Sequence, residues 1–212
     1  MNRIFNYIII LLFLYSCSKE GCEKPVYAGV YNSDFIYHEF ENPLEIKLKP
    51  DTVLRLCSGS DSIDINLDGK FDLFIKQLLS LDYGSEDRNI FDYDDFPYCK
   101  LYLKNTLEVA TKLELYPRVR NESGKLYWTD TLKLNTRIDE YADWSGGDES
   151  TKMWTVYPKV FPVTYGCWYN ISSQEKYVGI RMKIHSRYKY GWIKVNQMIR
   201  DSIKFVSYAI EK

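Results

Sequence analysis

Between Asp64 and Asp72 the chain reads Asp-Ile-Asn-Leu-Asp-Gly-Lys-Phe-Asp. Oxygen-bearing side chains stand at positions 1, 3, 5 and 9 of this stretch and glycine at position 6, the ligand spacing of the first nine positions of an EF-hand calcium loop. Hard Ca²⁺ takes six to eight oxygens. Asp64, Asn66, Asp68 and Asp72 offer side-chain oxygens, and the Lys70 carbonyl offers one more. Position 12, where an EF-hand has a bidentate Glu, is Ile75. Water or other parts of the fold must complete the shell, and the affinity expected is that of extracellular modules, with Kd on the order of 10⁻⁴ to 10⁻³ M. The competing reading is a plain hairpin: Asp68-Gly69 is a favoured two-residue turn, with Ile63 and Ile65 alternating before it and Phe71, Leu73 and Ile75 after it.

Other chemistry is sparse. The two histidines, His38 and His185, stand far apart and outside any motif. There is no Gly-x-Ser-x-Gly elbow, His-Glu-x-x-His pair, phosphate loop or dinucleotide fingerprint. A non-catalytic protein is the expectation, and two carboxylates meeting in space for glycoside chemistry form the enzymatic alternative. Aromatic residues crowd the segment from Trp144 to Tyr169, and Trp144, Trp154 and Trp168 are the candidate ligand-binding rings, suited to sugars or a partner protein surface. Core filling is the competing role for the same rings.

A formal net charge of −1 gives no reason to expect nucleic acid. At the amino terminus, Arg3 precedes the short apolar run Ile4–Leu14, which is too short for a permanent membrane helix. Leu14-Tyr15-Ser16-Cys17 then resembles a bacterial lipobox, whose cysteine is lipidated and becomes the new first residue. The resemblance implies a signal peptide over 1–16, acylated (palmitoylated) Cys17, and anchoring of the mature chain to a membrane by two or more acyl chains. Ser18 in place of Asp implies the outer membrane, facing the periplasm or the exterior. Residues 17–25 are polar and read as a tether. In that oxidising setting Cys22, Cys57, Cys99 and Cys167 suggest at least one disulfide, of open connectivity.

The elements that must position these residues are strands. Aromatics make up 16% of the chain, and they favour strands over helices. Period-two alternation runs through Leu44–Leu48, Lys100–Lys104, Leu107–Tyr116, Lys176–His185, Tyr188–Val195 and Ile203–Ile210. Thr52–Cys57 reads as a further strand, Ser58–Ser62 as a polar connection, and Thr136–Trp144 as one capped helical turn. The acidic stretch 81–95 reads as a solvated loop and a reserve of carboxylates, and Asn121–Gly124 as a turn. The bases from Lys176 to Lys204 alternate with apolar residues, which predicts a solvated sheet face. Gly191, between Tyr190 and Trp192, marks a bulge or a place where another backbone passes close. The expectation is a single all-β domain over 26–212: an antiparallel β-sandwich, jelly-roll-like or Greek-key, with a meander as the simplest assembly and little helix.

Tyr177-Val-Gly-Ile-Arg181, Tyr190-Gly-Trp-Ile193 and Tyr208-Ala209, together with the Asp64 loop and with Ile138 and Trp144 ahead of Gly166-Cys-Trp168, resemble an uncharacterised family of secreted and lipid-anchored Gram-negative bacterial proteins. The resemblance implies an exported all-β domain and supplies no enzymatic residues.

Overall fold

Strand β15 (Ser202–Glu211) shows how the sequence builds this fold. Ile203 and Phe205 point into the interior, then the parity switches and Tyr208 and Ile210 point there instead, leaving Ala209 on the opposite face. The cause is a bulge: the pairing of β15 with its neighbours slips between Phe205 and Ser207, and one extra residue inverts every later side chain.

The structure, a computed structural model, describes residues 24–51, 56–80, 98–115, 125–146, 150–157, 163–165, 168, 175–199 and 202–212. The signal segment and Cys17, most of the tether, the acidic stretch 81–95, the Asn121–Gly124 turn, Cys22 and Cys167 lie outside the described residues. Among the described residues there are strands and no helix. In chain order they are β1 (Val26–Tyr27), β2 (Phe35–Lys47), β3 (Lys49–Asp51), β4 (Leu56–Ile63), β5 (Leu73–Ser80), β6 (Tyr98–Leu103), β7 (Leu107–Leu115) and β8 (Lys125–Thr129). There follow β9 (Arg137–Ile138), β10 (Asp143–Gly146), β11 (Ser150–Tyr157), β12 (Val163–Tyr165), β13 (Lys176–Ile184), β14 (Arg187–Ile199) and β15.

The chain is an antiparallel all-β sandwich in its architecture, as the alternation predicts. The strand order is β2-β15-β14-β13-β7-β8-β11-β6-β5-β4-β3, with β10 beside β7 and β12 beside β11. The runs β4-β5-β6 and β13-β14-β15 are meanders, but β6 pairs with β11 rather than β7, so a simple meander is not the whole topology. One pair, β8 with β11, is parallel. Only Leu48 separates β2 from β3, so the two ends of this strand path are consecutive in the chain and the sheet curls back on itself. At the join, Gly59 of β4 lies so close to β2 that a β-carbon there would be 2.6 Å from the Lys47 carbonyl oxygen.

Strands β13 to β15 are buried on both faces. Val178, Ile180, Met182, Ile193, Val195, Ile203, Phe205, Tyr208 and Ile210 join the interior cluster. On the outer face, Tyr177, Tyr190, Trp192 and Ala209 pack under Val26, Ala28, Leu132 and Ile138, which β1, β9 and the segments beside them bring across as a flap. The close approach predicted at Gly191 is present: it pairs with Ile210, and a β-carbon there would overlap the Ala209 carbonyl oxygen.

Two local readings are overturned. Thr136 caps no helical turn: its hydroxyl accepts from Lys133 N–H, Arg137–Ile138 pair with β1, and Asp143–Gly146 pair with β7. Ser58–Ser62 is no connection: these residues lie within β4, paired with Phe74–Leu78 of β5. In both places a polar composition hid a backbone whose hydrogen bonds are supplied by a neighbouring strand.

Candidate functional site

Strands β4 and β5 pair from Leu56↔Ser80 to Ile63↔Leu73, so the connection between them is the nine residues 64–72 and not a two-residue turn at Asp68-Gly69. Ile65 remains in the interior, whereas Leu67 and Phe71 are 58% and 64% exposed. The plain hairpin that would bury Phe71 is thereby excluded.

The loop is folded around its own side-chain oxygens. Asp64 accepts from the N–H of Asp68 at 3.2 Å and from that of Gly69 at 2.7 Å. Asn66 Oδ1 accepts from Asp68 N–H at 3.0 Å, and Asp68 Oδ1 from Lys70 N–H at 2.9 Å. Gly69 has φ 86° and no atom within 4 Å of where a β-carbon would stand, so the backbone angle and not the space calls for glycine. Leu67 takes the left-handed region too, at φ 61°, which costs a leucine about 1–2 kcal/mol.

Asp72 pins the base of the loop. Its side chain is buried; one oxygen accepts from Ile65 N–H at 3.0 Å and the other from Asn105 Nδ2 at 3.0 Å. Its backbone N–H donates to Ile63 O, and its carbonyl accepts from Lys104 N–H. Burial raises the pKa of Asp72, against the lowering effect of these hydrogen bonds. Two distant strands hold the loop from the side. The Tyr208 hydroxyl of β15 donates to the Asp64 carbonyl at 2.8 Å, and Asn66 Nδ2 lies 3.7 Å from Met182 Sδ of β13. Burial, then the charges of Asp64 and Asp72, push Tyr208 up to about 12.

Asp64, Asn66, Asp68 and the Lys70 backbone therefore share one short turn, while Asp72 faces inward beneath it. Among the described residues, no three His, Cys, Asp or Glu side chains gather as a metal-ligating group. The donors of this loop are of a different composition: two carboxylates, an amide oxygen and a backbone carbonyl. Asn105 and Tyr208 were missed by sequence reasoning. Asn105-Thr106 did carry a turn signal, and Asn105 adopts φ 57° between β6 and β7; Tyr208 gave no local sign of reaching residue 64.

Of the three candidate ligand-binding rings, the side chains of Trp144 and Trp168 are described. Trp168 is fully buried, and its indole N–H donates to the carbonyls of Thr129 at 2.9 Å and Asp130 at 3.2 Å, so it is a core residue. Trp144 is half-buried, donates to the Asp139 carbonyl, and lies 4.6 Å from the Arg181 guanidinium. Arg181 is held between the Trp144 and Tyr188 rings and pairs with Glu108, directly opposite on β7; Arg181 Nε lies 2.8 Å from Glu108 Oε2. The backbone of Trp154 lies on β11 opposite Cys99, and its side chain is outside the described residues. His38 packs on Tyr208 and Phe40, while His185 turns the chain between β13 and β14 at φ 57°.

The bases of the last strands meet acids from elsewhere, Lys204 with Glu45 of β2 and Lys194 with Glu175, on a face that the flap partly covers, which corrects the expectation of a solvated sheet face. Cys57 and Cys99 are free thiols, which corrects the expectation of a disulfide through either. Cys99 is instead a core residue, its thiol donating to Met153 Sδ, and burial pushes its pKa well up. Compared with protein-family models, curated proteins and solved structures, the chain finds no match in any of the three.

Proposed function

We propose that this protein is an exported lipoprotein, anchored in the outer membrane through acylated Cys17, whose β-domain has a structural or ligand-binding role and carries a structural Ca²⁺ on the Asp64–Asp72 loop. The observation that carries the metal reading is the arrangement of Asp64, Asn66 and Asp68 around the N–H groups of residues 68–70. It holds two carboxylates on one exposed turn, Asn66 Nδ2 lying 3.4 Å from Asp68 Oδ2. A shared cation relieves the repulsion between like charges. Asp64, Asn66, Asp68 and the Lys70 carbonyl would be the direct ligands, Asp72 would support the turn from below, and water would fill the remaining positions. The anchor rests on the Leu14–Cys17 motif and the apolar run before it. The carbohydrate-binding alternative loses Trp168 to the core and one face of Trp144 to Arg181.

Calorimetry and thermal unfolding with and without calcium test the metal site. At free calcium tenfold above Kd, binding to the folded state alone adds roughly 1.4 kcal/mol. The Asp64→Ala/Asp68→Ala protein should fold and lose the calcium-dependent rise in Tm; no heat and no shift at millimolar calcium in the unmutated protein would remove the metal from this reading. Cys17→Ser should release the chain from the membrane fraction, and continued association would remove the anchor.

A further inference from the structure

The flap over the outer face of β13 to β15 leaves an apolar surface of its own. Val26 and Ala28 face inward, and Ala28 exchanges hydrogen bonds with the backbone of Asn135 and Thr136, which fixes the flap. Tyr27, Val30, Tyr31 and Leu134 face solvent, each between 42% and 57% exposed. They belong to one surface: a β-carbon on Gly29 would lie within 2.5 Å of Leu134 Cδ1, and Gly29 sits between Tyr27 and Val30. Tyr31 is stacked flat on Tyr37 at 3.9 Å, which holds its ring in place. Exposed Lys24, Lys133 and Arg137 stand around the patch, with Arg137 paired to Asp139. Tyrosine and leucine flanked by long basic side chains is the composition that suits a lipid headgroup layer, where an amphipathic ring is half in and half out of water.

The chain before the flap says what covers it. From Cys17 to Val26 are nine steps, which span at most about 30 Å and on average about 16 Å if flexible. A domain of this size is on the order of 40 Å across. With Cys17 at the bilayer surface, β1 is therefore held closer to the lipid than one domain diameter, and the patch beside it meets the membrane at high effective concentration. We propose that Tyr27, Val30, Tyr31 and Leu134 seat on the headgroup layer and fix how the domain stands on its membrane. The proposal rests on the reading that Cys17 is acylated.

The Asp64–Asp72 loop provides an internal control. It contacts β13 at Met182, about 17 Å along the strand from Tyr177, which lies under the flap and points to the opposite face. Leu67 and Phe71 should then stay in water. The test is hydroxyl-radical footprinting, read by mass spectrometry, of the acylated full chain in phosphatidylethanolamine/phosphatidylglycerol vesicles and of the Cys17→Ser full chain without vesicles. The expected result is a several-fold loss of labelling at Tyr27, Tyr31 and Leu134 in vesicles, unchanged labelling at Leu67 and Phe71, and no dependence on the protein-to-lipid ratio. Full labelling of the patch in a chain whose mass shows acylated Cys17 overturns this proposal and leaves the anchor standing. A mass without acyl chains overturns both. Protection that grows with the protein-to-lipid ratio assigns the patch to a second copy of the chain and overturns the lipid assignment.

Discussion

Replacing Asp72 by Ala isolates the group that shapes the loop. The change removes the acceptor of a fully buried N–H, that of Ile65, and of the Asn105 side-chain amide. Leaving a buried donor unsatisfied costs about 1–3 kcal/mol, and hydrogen bonds to a charged group are at the stronger end. Asn105 is exposed and can turn to water, so the total expected is about 2–4 kcal/mol. Asp72→Asn should cost less, about 1 kcal/mol, because its Oδ1 still accepts from Ile65 and a rotated Asn105 amide can accept from its Nδ2. Urea unfolding at pH 7, followed by tryptophan fluorescence, measures both. The two variants should also differ from the unmutated protein in pH dependence. Burial raises the pKa of Asp72 above 3.8, so between 3.8 and the raised value the native state holds more protons than the unfolded chain. The stability tied to this group is fully present below pH 3.8 and lost as pH rises through the folded-state pKa. The unmutated protein should accordingly gain stability relative to Asp72→Asn on acidification toward pH 4. An Asp72→Ala protein within 0.5 kcal/mol of the unmutated one, about the usual scatter of surface substitutions, would refute the pin, and parallel pH profiles would refute the desolvation argument.

Gly191→Ala should fail to give soluble folded protein, because the new carbon overlaps the backbone carbonyl of Ala209 and cannot be accommodated without parting β14 from β15; the control Gly69→Ala has open space and should lose only about 1–2 kcal/mol to backbone strain. Trp168→Phe removes the buried donor to the Thr129 and Asp130 carbonyls and should cost about 1–3 kcal/mol in urea unfolding. A thiol reagent should modify half-buried Cys57 in the native protein and reach Cys99 only at the rate of unfolding, since Cys99 is fully buried with its thiolate strongly disfavoured.

What was legible in the sequence was what repeats locally. Val178, Ile180, Met182 and Ile184 announce β13, and Gly191 between two aromatics announces a crowded crossing; both are present. The errors lie where a distant partner decides. Ser58–Ser62 looks like a connection because serine and glycine favour turns, yet β5 supplies its backbone partners. Thr136–Asp139 has a capping pattern, but β1 needs Arg137–Ile138 as a strand. Trp168 reads in sequence both as a binding ring and, more often for a β-protein, as core, and its burial with the indole N–H on the Thr129 carbonyl decides for core. For the loop, the spacing of Asp64, Asn66 and Asp68 foretold the turn, whereas the inward aim of Asp72 depends on Asn105, in the turn that follows the neighbouring strand β6.

The mooring of the loop argues for what a cation there would do. A switch needs an element with two arrangements of similar free energy. The Asp64–Asp72 loop is instead tied at both ends to the β4–β5 pair, from beneath by Asp72 to Ile65 and Asn105, and from the side by Tyr208. Tyr208 belongs to β15, which β14 and β2 flank and whose two faces are both covered. Displacing the loop would break the Tyr208 bond and bare the buried Ile65 N–H together, so the cost falls on several groups at once. The exposed half, Leu67 to Phe71, has no such ties to other described residues beyond its own turn, and it holds Asp68, the carboxylate that a cation would join to Asp64. Calcium at this site would therefore stiffen the tip of a hairpin whose base is already fixed. Its effect belongs in local protection of residues 66–70 from hydrogen exchange more than in any rearrangement of the sandwich.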